Sequence, residues 1–314
     1  LSGSAALVLV DGIERSINDI SADEVESVSI LKDAAAVALY GYKGANGAIL
    51  VTTKRGEKGV NKVEVTYDHV FNNLISTPKF VDAGTYADAI NEAYSNDGLE
   101  PRYTADEVKA FKDGSMPQYY PNVNWLKEVF RNHGVTNKYG VQFTGGTGKM
   151  RYYTALNLLS DKGFIKNPGE NEGYSTQDKY VKGNLRINLD MDITQSTLLK
   201  VNLFGSLSEQ SAPGSNANLW NMIYTVPAAA FPIQANGLWG GSSTWAGTSN
   251  PVAQSTAAAY YKFHTRDLFS DMTLVQDLSS ITQGLSASFR LGFDAQSTLI
   301  ENHSKTYQYN VTTI

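Results

Sequence analysis

Val181-Lys-Gly-Asn-Leu-Arg-Ile-Asn-Leu-Asp-Met-Asp192 alternates without a break. Val181, Gly183, Leu185, Ile187, Leu189 and Met191 form one set, apolar or glycine. Lys182, Asn184, Arg186, Asn188, Asp190 and Asp192 form the other. Successive side chains of a strand point to opposite faces, so this period puts one set on each face of a sheet. The same alternation runs through Leu285, Ala287, Phe289, Leu291, Phe293 and Ala295, through Leu199 to Leu207, and through Val63, Val65 and Tyr67. The pattern predicts about eight antiparallel strands, near 62–73, 136–146, 149–160, 179–192, 196–209, 262–277, 284–299 and 304–314. Most exceed the ~5–6 residues usual in soluble sheets and reach the ~9–11 that a tilted membrane-crossing strand needs.

The connections sort by length. Those at about 74–135, 161–178 and 210–261 are long, whereas Gly145–Gly148, Ile193–Gln195 and Ser279–Gln283 are short. Strict alternation of long and short is the layout of an outer-membrane barrel, with short periplasmic turns and long external loops. If residues 1–60 lie on the periplasmic side, the first strand runs outward and the longest connection falls outside. Residues 61–314 therefore read as the N-terminal part of a transmembrane all-β barrel. Polar strand positions such as Lys182, Arg186 and Asp190 are expected to line a wet lumen.

Residues 1–60 have another texture, that of a small α+β unit of βαβαβ type. Leu7–Val10 reads as a buried strand ending in an Asp11-Gly12 turn, and Val25–Leu31 and Ala48–Thr53 as further strands. Ala34–Tyr40 reads as a helix stopped by Gly41. Asn46-Gly47 suggests a turn with positive φ at both residues. Ser21-Ala-Asp-Glu24 and Thr104-Ala-Asp-Glu107 both have capping-box spacing. Helices are expected at 82–96 and 104–112. Trp220, Trp239 and Trp245 fall in the 210–261 connection, where they either meet substrate or partner, or pack the loop against itself or the membrane interface.

With 42% hydrophobic and 18% charged residues the chain is not disordered by composition. Its net charge of −5 argues against a general nucleic-acid binder. The absence of cysteine removes disulfides and thiolate sites, and the four scattered histidines give no metal-ligand spacing. No cofactor motif is found. Gly41, Gly44 and Gly47 do not have dinucleotide-loop spacing, and Phe143 and Met150 break a phosphate loop around Gly148-Lys149. There is no G-x-S-x-G and no carboxylate pair in a setting for acid–base work, so an enzyme is not expected. No apolar run is long enough for a membrane helix. No signal peptide is visible, and the opening Leu1–Leu7 suggests a start inside a domain.

Four blocks in order, Leu9-Val-Asp-Gly12, Glu26-Ser-Val-Ser-Ile-Leu-Lys-Asp33, Ala38-Leu-Tyr-Gly41 with Gly44-Ala-Asn-Gly47, and Ile49-Leu-Val-Thr-Thr-Lys-Arg-Gly56, resemble the second half of the plug of SusC/RagA-family TonB-linked transporters. Tyr120–Trp125, Gly145–Tyr153 and Lys162–Ile165 resemble that family's early barrel. The resemblance makes Asp11, Gly12, Lys32, Asp33, Tyr40, Gly41, Gly44, Asn46 and Gly47 plug-motif residues. It implies a fragment of a barrel of about 22 strands in the outer membrane of a Gram-negative, Bacteroidota-like cell. It further implies uptake of an oligosaccharide or oligopeptide without chemistry, with a SusD-like surface lipoprotein outside and TonB acting through a segment not in this chain. A siderophore or cobalamin receptor, and a secreted all-β enzyme or adhesin, are the alternatives.

Overall fold

The computed structural model describes residues 6–166, 170–171, 174–176, 178–214 and 218–311. Its main body is one antiparallel sheet of seven strands: β5 (Asn61–Asn73), β6 (His133–Gly146), β7 (Met150–Lys162), β8 (Lys179–Asp192), β9 (Thr197–Pro213), β10 (Tyr260–Asp277) and β11 (Ser286–Asn302). They pair in sequence order, each with its chain neighbour, and β5 and β11 form the two edges. The strands have 13 to 18 residues, enough to cross a bilayer at a tilt.

The two faces invert the rule of a water-soluble sheet. Asn184, Arg186, Asn188 and Asp190 of β8 are buried, with Asn188 at 1% exposure. Leu156, Leu185, Leu207, Leu268 and Met272 on the other face are exposed, Leu207 at 63%. Polar inside and apolar outside is the arrangement of a strand wall set in lipid. Tyr67 and Tyr139 stack on the outward side with ring centroids 5.0 Å apart, a placement suited to a membrane interface. No helix among the described residues is long and apolar enough to cross a membrane.

The expected eighth strand at 304–314 is not part of this sheet. Tyr309–Val311 instead pairs in parallel with Leu238–Gly241, which also pairs with Gln234–Ala235. The Tyr307 side chain explains the diversion. Its hydroxyl donates to the Gly247 carbonyl at 2.9 Å and accepts from Gln254 Nε2 at 3.0 Å, which ties this stretch to the 214–259 connection. Burial pushes that hydroxyl up to about 12.

The N-terminal unit is a four-stranded sheet of β1 (Leu7–Val10), β2 (Ile13–Glu14), β3 (Val25–Leu31) and β4 (Ala48–Thr53), in the order β2-β1-β4-β3. β1 and β4 are parallel, and α1 (Asp33–Tyr40) lies between β3 and β4 in the chain. The core is small: Leu7, Leu9, Ala36 and Ala48, with Leu31, Tyr40 and Leu50 against it. Within this unit, the two-residue turn with positive φ at both positions is Asp11-Gly12 (φ 49 and 84), which joins β1 to β2. At Asn46-Gly47 only the glycine has positive φ. The Ser21–Glu24 capping-box spacing opens a single 3-10 turn, Ala22–Glu24, but the Ser21 side chain makes no cap bond there.

The long connections fold together into a cap. The helices α2 (Ala83–Asn96), α3 (Ala105–Asp113), α4 (Trp125–Val129), α5 (Leu219–Thr225) and α6 (Pro251–Thr256) belong to it. Asp82 caps α2 through the Thr85 amide, and this bond holds its carboxyl below the usual range. Thr104 and Glu107 form a complete capping box on α3. The cap core joins Trp125, Val129 and Phe130 to Ile165 and to Leu219, Ile223, Val226, Phe231 and Val252, so all three connections contribute.

Candidate functional site

The N-terminal unit packs against the polar face of the strand wall, and the seam between them is where polar groups concentrate. Glu24 is fully buried. Its Oε2 accepts from Arg186 Nε at 2.6 Å, and its Oε1 accepts from Asn157 and Asn184 Nδ2, each at 2.7 Å. Arg186 also lies over the Phe204 ring at 4.7 Å. One carboxylate thus receives donors from two adjacent wall strands, β7 and β8. Such pairing is what makes a buried charge tolerable.

A second chain of contacts runs along the same seam. Arg55 Nη2 donates to Asp190 Oδ1 at 2.5 Å and its Nη1 to Asn202 Oδ1 at 2.9 Å. Asn202 Nδ2 donates to Asp271 Oδ1 at 2.7 Å. Asp271 then accepts from Arg15 Nη1 at 3.0 Å, and Arg15 Nη2 donates to Asp294 at 2.7 Å. Two arginines, one at each end of the N-terminal unit, therefore engage carboxylates on β8, β10 and β11. Asn188 Nδ2 adds bonds to Thr53 Oγ1 and the Lys54 carbonyl, both at 2.7 Å. The polar wall positions face these partners and not an open lumen: Arg186 and Asp190 are ion-paired, and Lys182 Nζ reaches the Asn18 carbonyl at 3.3 Å.

Two glycines are fixed, one by its backbone angle and one by close approach. At Gly12 (φ +84) a Cβ would come within 2.2 Å of Arg290 Nη1 on the wall. At Gly56, where the chain passes from β4 onto the barrel, it would lie 2.2 Å from the Tyr152 amide nitrogen. At Gly56 the neighbours are backbone and leave no room for a side chain, whereas at Gly12 the neighbour is a flexible arginine tip and the positive φ is what favours glycine.

The remaining motif residues shape the unit internally. Asp11 accepts from the Thr53 amide at 3.0 Å and from Thr53 Oγ1 at 2.6 Å, locking the β1–β2 turn to the end of β4. Lys32 precedes α1 as its N-cap residue but gives no side-chain cap bond. Asp33 opens the helix, and its side chain lies outside the described residues. Tyr40 packs on the small core and Gly41 (φ 60) ends the helix. Gly44 is buried with Ala36 O 2.4 Å from where its Cβ would be. Asn46 leads into Gly47, whose carbonyl accepts from the Leu7 amide at 3.0 Å. These residues build the unit, whereas Arg15, Glu24 and Arg55 attach it. Motif spacing marks Glu24 and Arg55 without their attaching role and passes over Arg15, although a lone arginine within a turn or a strand exit is a signal that could be sought.

The three tryptophans do not converge on one pocket. Trp220 is 40% exposed and stacks on Phe130 at 4.4 Å. Trp239 packs on the cap core and meets Tyr307 edge-on at 6.3 Å. Trp245 also rests on that core and borders two cavities. One, of 460 Å³, is lined by Phe80, Tyr86, Trp125, Tyr224 and Trp245 among others. The other, of 440 Å³, holds Tyr94, Arg102, Tyr103, Glu107, Tyr119 and Ser242–Trp245. Both fall in the size range of small-ligand sites, about 300–1,000 Å³. Among the described residues no group of His, Asp and Glu is arranged to hold a metal.

Over 254 residues, 78% of this chain, the sequence is 30% identical to TonB-dependent receptor P26 of Formosa agariphila. Over 166 residues, 50% of the chain, it is 27% identical to TonB-dependent receptor SusC of Bacteroides thetaiotaomicron. The chain belongs with the TonB-dependent receptors of the SusC/RagA type. It spans 23% of the first relative's length and 14% of the second's. Among solved structures, that of the RagAB peptide transporter superposes with a TM-score of 0.69 at 17% identity, covering 94% of this chain and 35% of that one. That likeness supports the fold: a partial wall of a plugged barrel, with the N-terminal unit as plug segment. No family model matches the chain. These relatives are receptors and transporters, not enzymes, and the place of this SusC/RagA-type chain is the outer membrane.

Proposed function

We propose that this receptor segment serves TonB-dependent import of a nutrient oligomer, an oligosaccharide or oligopeptide, handed over by a SusD-like surface lipoprotein. The observation that carries the reading is the plug–wall seam. A unit with so small a core of its own is fastened to the lumen side of the wall by Glu24, Arg55 and Arg15, the construction of a stopper that must seal and yet be released. Polar contacts suit this better than apolar ones, because water can replace each bond as it opens. Outside the membrane, the cap with its two aromatic-lined cavities is the surface for capture, with Trp245 at the cavity borders and Trp220 on the exposed side as contacts. Trp239 acts there through packing. TonB would pull on the plug outside the residues of this seam, and the chain's part is to hold the plug until then. The RagAB structures concern a peptide importer, which makes an oligopeptide the first substrate to try.

The test deletes the receptor gene and follows growth on defined peptide or glycan mixtures, with and without TonB. Co-purification of the full-length receptor in mild detergent runs in parallel. Growth lost on one nutrient class in both strains, with a lipoprotein at equal stoichiometry, is expected. Growth lost only under iron or cobalamin limitation would move the assignment to a siderophore or cobalamin receptor.

A further inference from the structure

The outward face of the wall is not a uniform apolar band. Gly183 on β8 and Gly205 on β9 stand beside Ala295 and Ser297 on β11, and the surface dips there into a groove of 630 Å³. Leu156, Leu185, Leu207 and Leu268 form its sides. A Cβ on Gly205 would meet nothing within 4 Å, so wall packing does not demand a glycine. The groove has a polar head. Arg266 on β10 sits in register with Leu207 and Ser297, one outward position nearer the cap than Leu268. It is exposed, and among the described residues it has no ion pair or hydrogen bond. The carboxylates in the rows above, Glu209 and Glu301, turn to His264 at 3.4 and 2.8 Å. A guanidinium at the top of a hydrocarbon-facing slot calls for an anion at that depth. With the cap outside, as proposed above, the cap end of the strands faces the outer leaflet, whose lipid in a Gram-negative outer membrane is a phosphorylated glycolipid.

We propose that this groove seats one acyl chain of an outer-leaflet glycolipid of the lipid A class, with its phosphate on Arg266. The apolar slot supplies burial and the arginine supplies a bidentate phosphate contact. This site lies on the opposite face of the wall from the plug; it rests on the outward-facing cap of the proposed function, but not on which nutrient is carried.

The test uses the full-length receptor from native outer membranes, stripped of lipid in detergent and then offered lipid A with or without its phosphates. Bound lipid is counted by native mass spectrometry. Wild type is expected to hold the phosphorylated form, and Arg266→Gln to hold about a tenth as much, the factor of one lost charge-assisted contact. Gly205→Leu, which fills the slot without touching the cation, should also lose the lipid while keeping the folded barrel's mobility in unheated gels. Equal retention by all three proteins would overturn the proposal, as would equal binding of phosphate-free lipid. So would a Gly205→Leu protein that keeps its lipid but changes oligomeric state, since the slot would then belong to a second copy.

Discussion

The plug–wall seam and the cap are held by opposite physics, although both join segments far apart in the chain. The seam relies on directional bonds between charges: Glu24 to Arg186, Arg55 to Asp190, Arg15 to Asp271 and Asp294. The cap relies on buried Trp125, Ile223, Phe231 and their neighbours. Removing one member of a buried charge pair strands the other, while trimming a core side chain leaves a cavity. The seam should therefore open pair by pair, each loss stranding one partner, while the cap keeps its shape around a cavity. On the proposed import reading, a plug that must let go benefits from the first behaviour, and a capture surface that must keep its shape benefits from the second.

The largest expected effect is at Glu24. Glu24→Ala leaves Arg186 buried without its anion, a cost of ~3–5 kcal/mol. Hydrogen exchange of residues 7–53 in the full-length receptor should accelerate while the cap amides stay protected. The double variant with Arg186→Ala should recover part of the protection, and unchanged exchange in the single variant would break the contrast between the regions. Ile223→Ala is the matching change in the cap, with ~2–5 kcal/mol expected for a buried isoleucine. It should loosen the helices around residues 125–129 and 219–225 and leave plug protection intact. Coupled loss in both regions would show that they are one cooperative unit.

Arg55→Ala comes next, at ~1.5–3 kcal/mol for hydrogen bonds to a charged group, since the Arg55 and Asp190 side chains keep 21% and 12% exposure. Its signature is a plug less salt-sensitive in the variant than in the wild type, read by proteolysis across an ionic-strength series. The smallest effect is Thr104→Ala, which removes the α3 cap bond at ~0.5–2 kcal/mol. It should raise proteolysis near residues 104–113 only.

Two segments with the identical spacing S/T-Ala-Asp-Glu show what a sequence can and cannot tell. Thr104-Ala-Asp-Glu107 is followed by a helix-forming run, and its glutamate turns back to cap it. Ser21-Ala-Asp-Glu24 has the same spacing, yet Glu24 goes to Arg186, 162 positions away. Local periodicity carries the face each strand residue takes, so the wall and its inverted polarity were legible from Val181–Asp192 and its repeats. Partners across the seam depend on how the plug docks, which no local pattern encodes. The same holds for residues 309–311, whose alternation suits a wall strand but whose neighbour Tyr307 fastens them to the cap. The tryptophans of the 210–261 connection marked a structured loop, but exposure, not residue type, separates Trp220 from Trp239 and Trp245.

The account stands on the plug sealing the wall through its charged seam. Planar-bilayer conductance of the full-length receptor measures that sealing directly, comparing wild type with Glu24→Ala/Arg55→Ala. The wild-type protein should be electrically silent and the double variant should open steps of large, long-lived conductance with the barrel still folded. Silence from a folded double variant would contradict the account, because the seal would then lie elsewhere in the protein.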